Sequence, residues 1–229
     1  MRLTGPMQSW GGRSRFEDRD TQAEPTKSGI CGLLGCALGR ERGSDFSDLA
    51  ALPIAIRVDA QGSLAGDFHT AGGSYDSSRA LPKASGAGKQ STAVIGSRRY
   101  LQDARFTVAI AGPSDLLEEI AMALDAPRWP LSLGRRAFAP IDPVMLGVIG
   151  GDDPVAALTH DVPRFFDKEL FRIVADDQTG DFHQVADLPR GALDRGYATR
   201  RVSNSVLACT GPVAADGYAA REMLSKATT

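Results

Sequence analysis

The sequence predicts an α+β fold, and three observations carry that expectation. Strand-like and helix-like stretches follow one another as strand, helix, strand, long loop, strand, helix. The composition is that of an ordinary globular chain: 229 residues, 42% hydrophobic and 24% charged, enough for one large domain or two small ones. No apolar run approaches the roughly 18 residues of a membrane helix, and no signal-peptide pattern opens the chain. Three cysteines, an odd number, argue against a disulfide framework, and Cys31 and Cys36 lack the nearby histidines of a zinc site. The expected setting is a reducing cytoplasm, with no membrane partner.

Taken in order, residues 3–12 read as the end of a strand running into a Gly/Pro turn, and 13–25 as a polar loop. Pro25-Thr26-Lys27-Ser28 then starts a helix, with Thr26 or Ser28 as the cap, that reaches about Leu38 and stops at Gly39. Ile30, Leu33, Leu34, Ala37 and Leu38 share one face, and Gly29, Gly32, Gly35 and Gly39 share another. Each helical glycine costs roughly 1 kcal/mol relative to alanine. A neighbour must therefore approach that backbone closely, either a packed element or a ligand. The helix start joins free N–H groups and the positive dipole end to Lys27 and two hydroxyls, which makes an anion-binding corner. It is no Walker loop, because Lys-Ser precedes the glycines, and G-x-G-x-x-G is absent, so nucleoside-triphosphate chemistry is disfavoured.

Residues 53–59 alternate as a strand and end at a turn near Gln61-Gly62. From 67 to 96 the chain is rich in Gly, Ser, Ala and Lys with almost no periodicity. A loop this long, carrying Arg79, Lys83 and Lys89, suits an arm that orders on a partner. The clearest strand is 105–111. A helix capped by Ser114 follows to about Leu124, with Leu116, Leu117, Ile120 and Leu124 on one side. A short extended piece at 131–136 delivers Arg135 and Arg136. Beyond it come a small apolar element at 144–149, a short helix at 154–158 and a strand at 170–175. Residues 176–196 read as an acidic loop, and the last 20 residues show no pattern.

The formal net charge is only -2, but it is unevenly spread. Residues 79–136 hold nine basic and five acidic side chains, whereas 137–194 hold four and eleven. Such a mosaic suits a protein that grips an anion on one side and other proteins elsewhere. Five of the 26 basic residues are lysine, so arginine, the better bidentate phosphate ligand, dominates.

Five blocks then occur in order: Gly5-Pro6-Met7-Gln8-Ser9-Trp10-Gly11; Pro25-Thr26-Lys27-Ser28-Gly29 with Gly32-Leu33-Leu34; Asp67-Phe68-His69-Thr70; Tyr100-Leu101-x-Asp103-Ala104-x-Phe106-x-Val108-Ala109; and Leu133-Gly134-Arg135-Arg136. On these blocks, over about residues 3–149, the chain resembles the CasD family of type I-E CRISPR Cascade subunits, within the RAMP superfamily; the last 80 residues match only loosely. The first strand departs from the family pattern in being short, with only Met1, Arg2, Leu3 and Thr4 before the Gly-Pro block.

The resemblance implies a ferredoxin-like (RRM-type) domain over 1–136, with a thumb inserted at about 68–98, and a smaller β-rich portion over 137–229. It also implies a non-catalytic role in antiviral defence. Family members bind the 5′ handle of the guide RNA, cap the ribonucleoprotein complex, and contact its large subunit and the adjacent backbone subunit. Target DNA is met only through the complex, and no cofactor is expected.

Handle recognition calls for phosphate contacts, base stacking and edge reading. The expected phosphate ligands are Lys27, with Thr26 and Ser28 at the helix start, and Arg135 and Arg136; the bland role for the arginine pair is salt bridging to the acidic 137–194 region. Gln8 and Ser9 are candidates for base edges, and Trp10 for stacking, although a tryptophan beside a first strand is also a core residue. His69, Arg98 and Tyr100 stand where the thumb meets the sheet. Arg79, Lys83 and Lys89 are the thumb's own candidates for partner or RNA. His160 and His183 belong to no motif and read as surface residues. The rival reading is a metal-independent endoribonuclease using His69, Tyr100 and Lys27. A small-molecule enzyme with a phosphate-binding helix is the third.

Overall fold

The computed structural model describes residues 1–12, 18–41, 43–72, 81–82, 89–90, 93–177, 182–189 and 196–227. Its elements are β1 (Arg2–Thr4), β2 (Met7–Gln8), β3 (Asp18–Arg19), α1 (Lys27–Leu38), α2 (Ser47–Ala51), β4 (Ile54–Ala60), β5 (Ser63–Ala71), β6 (Leu81–Pro82), β7 (Lys89–Gln90), β8 (Val94–Gln102), β9 (Arg105–Ile110), α3 (Ser114–Asp125), α4 (Pro154–Ala156), β10 (Leu170–Asp176), β11 (His183–Pro189), β12 (Tyr197–Ala208) and α5 (Gly217–Ala227). A π-helical turn, Ala157–Asp161, prolongs α4.

Six strands form one antiparallel sheet in the order β1-β9-β4-β10-β12-β11. On the outer side of β1, the Arg2 N–H donates to Val144 O (2.8 Å) and the Ile141 N–H to Thr4 O (2.9 Å). The coil at 141–144 thus lies antiparallel to β1. Coil, β1, β9 and β4 stand in the 4-1-3-2 order of a ferredoxin-like unit, with α1 and α3 as its helices. The expected α+β fold holds.

Strand alternation assigns each face of the sheet its own core. Leu3, Ile54, Ile56, Val58, Phe106, Val108 and Val174 point toward α1 and α3 and meet Ile30, Leu33, Leu34, Ile120 and Leu124. Ala55, Phe171, Ile173 and Ala175 point the other way, onto Leu158, Val162, Phe165, Ala220 and Leu224. The expected boundary at 136/137 does not divide the sheet, because β10 pairs with β4 from Ala55 to Val58. Phe138, Val144 and Met145 also enter the first core.

The second face covers two buried guanidiniums, Arg2, which lies over the Phe165 ring and pairs with Asp142, and Arg57. Arg57 is wholly buried: Nε donates to Asp59 Oδ1 (2.8 Å), Nη1 to Leu158 O (2.9 Å) and Val162 O (3.1 Å), and Nη2 to Pro163 O (2.5 Å). Thr107 Oγ1 donates to the other Asp59 oxygen at 2.5 Å. A charge this deep stands only because its donors are matched.

A second sheet centres on β8. β5 pairs along one edge of β8 from Ser63↔Gln102 to Ala71↔Val94, while β2 and a parallel β3 share the other edge. Part of the expected loop at 67–96 is therefore hairpin. Farther out, β6 pairs with β7.

Several local expectations need correction. Thr26 caps α1, its Oγ1 accepting from the Gly29 N–H at 3.2 Å. Ser114 is no cap: Pro113 occupies that position and no side chain bonds the first turn of α3. β11 lies in the stretch read as an acidic loop, and α5 in the stretch read as patternless. The α1 glycines mainly serve packing. A Cβ at Gly29 would stand 2.8 Å from the Trp10 ring, and one at Gly35 2.1 Å from Phe46.

Candidate nucleic-acid interface

The helix corner expected to take a phosphate is filled by the protein's own carboxylates. The Lys27 N–H donates to Asp187 Oδ2 at 2.8 Å, the interaction a bound anion would make at a helix start. Lys27 Nζ donates to Asp176 Oδ2 and Leu52 O, both at 2.7 Å, and the residue is 4% exposed. Arg200 closes the cluster, with Nε and Nη2 on Asp187 (2.6 and 2.9 Å) and Nη1 on Asp176 (2.6 Å). Burial works against its charge, but the two carboxylates hold Arg200 above the ordinary arginine pKa. The expected phosphate role of Lys27 is thereby corrected: its donors are spent inside the fold. Thr26 is likewise buried as the cap, and Ser28 Oγ lies 3.3 Å from Thr26 Oγ1.

Gln8 and Trp10 are corrected for the same reason. Gln8 is fully buried; Nε2 donates to Leu3 O (3.1 Å) and Ala104 O (2.8 Å), and Oε1 accepts from Trp10 Nε1 (3.1 Å). Gln8 therefore reads no base edge. Trp10 is 1% exposed and packed on Gly29, so its ring stacks on no base. Ser9 is buried too, its Oγ donating to Arg99 O at 3.3 Å, although it borders the groove described next.

That groove lies between the base of the hairpin and the paired-arginine loop. Ser9, Gly11, Gly12, Arg19, Asp20, Arg98, Gly134, Arg135 and Tyr197 line it. Parallel pairing sets Arg19 beside Arg98, and antiparallel pairing sets Asp67 on its other flank, all on one face of the second sheet. Arg135 arrives from the loop. There the Ser9 N–H donates to Leu133 O (3.0 Å), the Leu133 N–H to Phe138 O (2.7 Å), and the Phe138 N–H to Arg135 O (2.9 Å). Arg135 Nη2 donates to Arg99 O at 2.7 Å and its guanidinium stands 5.5 Å from the Phe138 ring centre.

Gly134 is obligatory here. Its φ is +91°, and a Cβ would lie 1.8 Å from Ser9 O. Burial, then the Arg98 guanidinium and to a lesser degree Arg19, push Arg135 below the ordinary arginine pKa, with Asp67 opposing. Arg19, Arg98 and Arg135 thus crowd positive charge beside the open backbone of Gly11, a repulsion that a bound anion would relieve.

Of the other expected residues, Tyr100 packs its ring on Phe138 at 5.7 Å between centroids. His69 is exposed on β5 opposite Gly96, and Arg136 is exposed beyond the groove lining. His160 and His183 are exposed, as expected. Lys89 lies in β7, while Arg79 and Lys83 fall outside the described residues. The groove's remaining side chains, Arg19, Asp20 and Tyr197, were not legible in the sequence. Arg19 sits in a two-residue strand inside an apparent loop, and Tyr197 in a strand whose alternation is too sparse to recognise.

A family model described as CRISPR-associated protein (Cas_Cas5) matches residues 1–206. The chain is 34% identical over 178 residues to the "CRISPR system Cascade subunit CasD" of Escherichia coli (strain K12), over 71% of this chain and 76% of that one. It is similar to a solved chain titled "CRISPR RNA-guided surveillance complex", with TM-score 0.79, 35% identity, and 99% and 97% of the two chains covered. A second, titled "Crystal structure of Cas protein", gives TM-score 0.73 and 36% identity, covering 93% of this chain and 97% of that one.

Proposed function

Because the chain belongs to the Cas_Cas5 family of CRISPR-associated proteins, we propose that it is a non-catalytic subunit of a Cascade-type surveillance complex. Its task is to hold the unpaired 5′ handle of the guide RNA. The groove of Arg19, Arg98 and Arg135 carries this reading. Planar guanidiniums suit consecutive phosphates, and the open backbone at Gly11 lets a strand pass closely. Arg136, outside the lining, extends the positive rim. The hairpin β5–β8 presents Leu64, Phe68, Val94 and Ile95 to solvent, with Phe68 71% exposed. This is the root of the proposed thumb, and its apolar surface suits the adjacent backbone subunit. The large subunit and that neighbour are the protein partners on this reading.

The endoribonuclease reading loses its cation, since Lys27 is paired with Asp176 and buried. Fluorescence anisotropy with a labelled single-stranded RNA of the repeat sequence tests the proposal. Arg135→Ala weakens binding by roughly 1–3 kcal/mol and lowers the salt slope by roughly 0.7. The RNA stays intact in chelator. Unchanged affinity, or cleavage lost on changing His69 or Tyr100, overturns the assignment.

A further inference from the structure

Resting on that groove, we infer that Tyr197 forms a nucleobase subsite, on which one unpaired base of the bound strand stacks. Single-stranded nucleic acid is held by two devices together, cations that follow the phosphates and aromatic faces that receive the bases. The groove has the first in Arg19, Arg98 and Arg135. The aromatic that the sequence offers for the second, Trp10, is 1% exposed and its Nε1 is bonded to Gln8. Tyr100 is also engaged, its ring on Phe138. Among the groove-lining residues Tyr197 alone is aromatic, and it is 46% exposed.

Its footing is a paired strand. Tyr197 opens β12 opposite Pro189 of β11, and three residues on, Arg200 ties β12 into the buried Asp176–Asp187 cluster. The ring therefore projects from an ordered sheet edge into the groove, with two rotatable side-chain bonds to fix. A base laid on it has its phosphate within the same groove as the guanidiniums.

The test compares Tyr197→Ala, Tyr197→Phe and Arg135→Ala in the full chain, with single-stranded repeat RNA titrated across salt concentrations. Stacking releases no counterions, so Tyr197→Ala lowers affinity about 10–100-fold with an unchanged salt slope, while Arg135→Ala lowers both. Tyr197→Phe, which keeps the ring face, binds within about twofold of the parent. A series of RNAs with one abasic nucleotide moved along the strand then finds the stacked position. There the abasic penalty disappears in Tyr197→Ala. If Arg135→Ala weakens binding and Tyr197→Ala does not, the base subsite is wrong and the phosphate groove stands. A fall in salt slope for Tyr197→Ala, or additive abasic penalties at every position, also overturns the stacking role. Should neither variant change affinity, the groove reading falls with it.

Discussion

Asp187→Ala tests whether the start of α1 belongs to the protein or to a ligand. The substitution removes the acceptor of the Lys27 N–H and two of the three hydrogen bonds of Arg200 to carboxylates. Asp176 remains, but it already serves Lys27 Nζ, Arg200 Nη1 and the Ile54 N–H. Two buried cations would then share one carboxylate. Side-chain exposure is 5% for Lys27 and 9% for Arg200, so water replaces little of the loss. Removing one partner of a buried pair costs roughly 3–5 kcal/mol. That is a large part of the about 5–15 kcal/mol that holds a domain folded. Urea unfolding followed by circular dichroism reads it as a lower midpoint with an unchanged m-value. Replacing the charges with apolar side chains, Asp187→Leu with Arg200→Met, recovers much of the loss because no charge stays buried alone. A loss below about 1 kcal/mol, the value of an exposed ion pair, would refute the reasoning and leave the helix start open to an anion.

Further outcomes are expected. Gly134→Ala destabilises the chain by roughly 2–4 kcal/mol, from positive-φ strain plus overlap with Ser9 O, and weakens RNA binding by displacing Arg135; near-parental urea midpoints would argue against it. Replacing residues 72–93 with a two-residue turn joins Ala71 to Val94, which already pair, so the isolated subunit keeps its RNA affinity while assembly of the larger particle fails. Intact assembly on size-exclusion chromatography would remove the thumb role. Burial pushes the Cys31 thiol up to about 11 and raises Cys36 and Cys209 as well, but Cys36 alone is only half-buried, so a disulfide reagent at pH 8 labels it first. Equal, rapid labelling of all three thiols in the folded protein would contradict that burial.

The N-terminal architecture was legible because its signals are local. Thr26 and Gly39 bracket α1, and the apolar alternation of Ile54, Ile56 and Val58 marks β4. The paired arginines after Gly134 were visible for the same reason. What stayed hidden depends on pairs far apart in the chain. Lys27 looks like a free cation until Asp176, 149 residues later, arrives on β10, and its helix start looks open until Asp187 arrives on β11. β11 itself escaped notice because its buried position is an aspartate, which a hydrophobic pattern reads as surface. Gln8 and Trp10 look like RNA-reading groups for the same reason, since Ala104 O, 96 residues after Gln8, and Gly29 of α1, against the Trp10 ring, are brought to them only by the fold. The β5–β8 hairpin reads as loop because β5 is exposed along most of its length and shows no buried face.

Arg57 bears on how the chain emerges from the ribosome. Its guanidinium waits for carbonyls of residues 158, 162 and 163, which follow it by 101 to 106 positions. At a translation rate of roughly 5–20 residues per second, that interval is about 5–20 s. Throughout it both faces of the sheet lack late-arriving partners: Val174 and Val202 for the first core, and Leu158 and Val162 over Arg57 for the second. Such a chain completes its fold only near the end of synthesis, when the elements that close both faces have emerged.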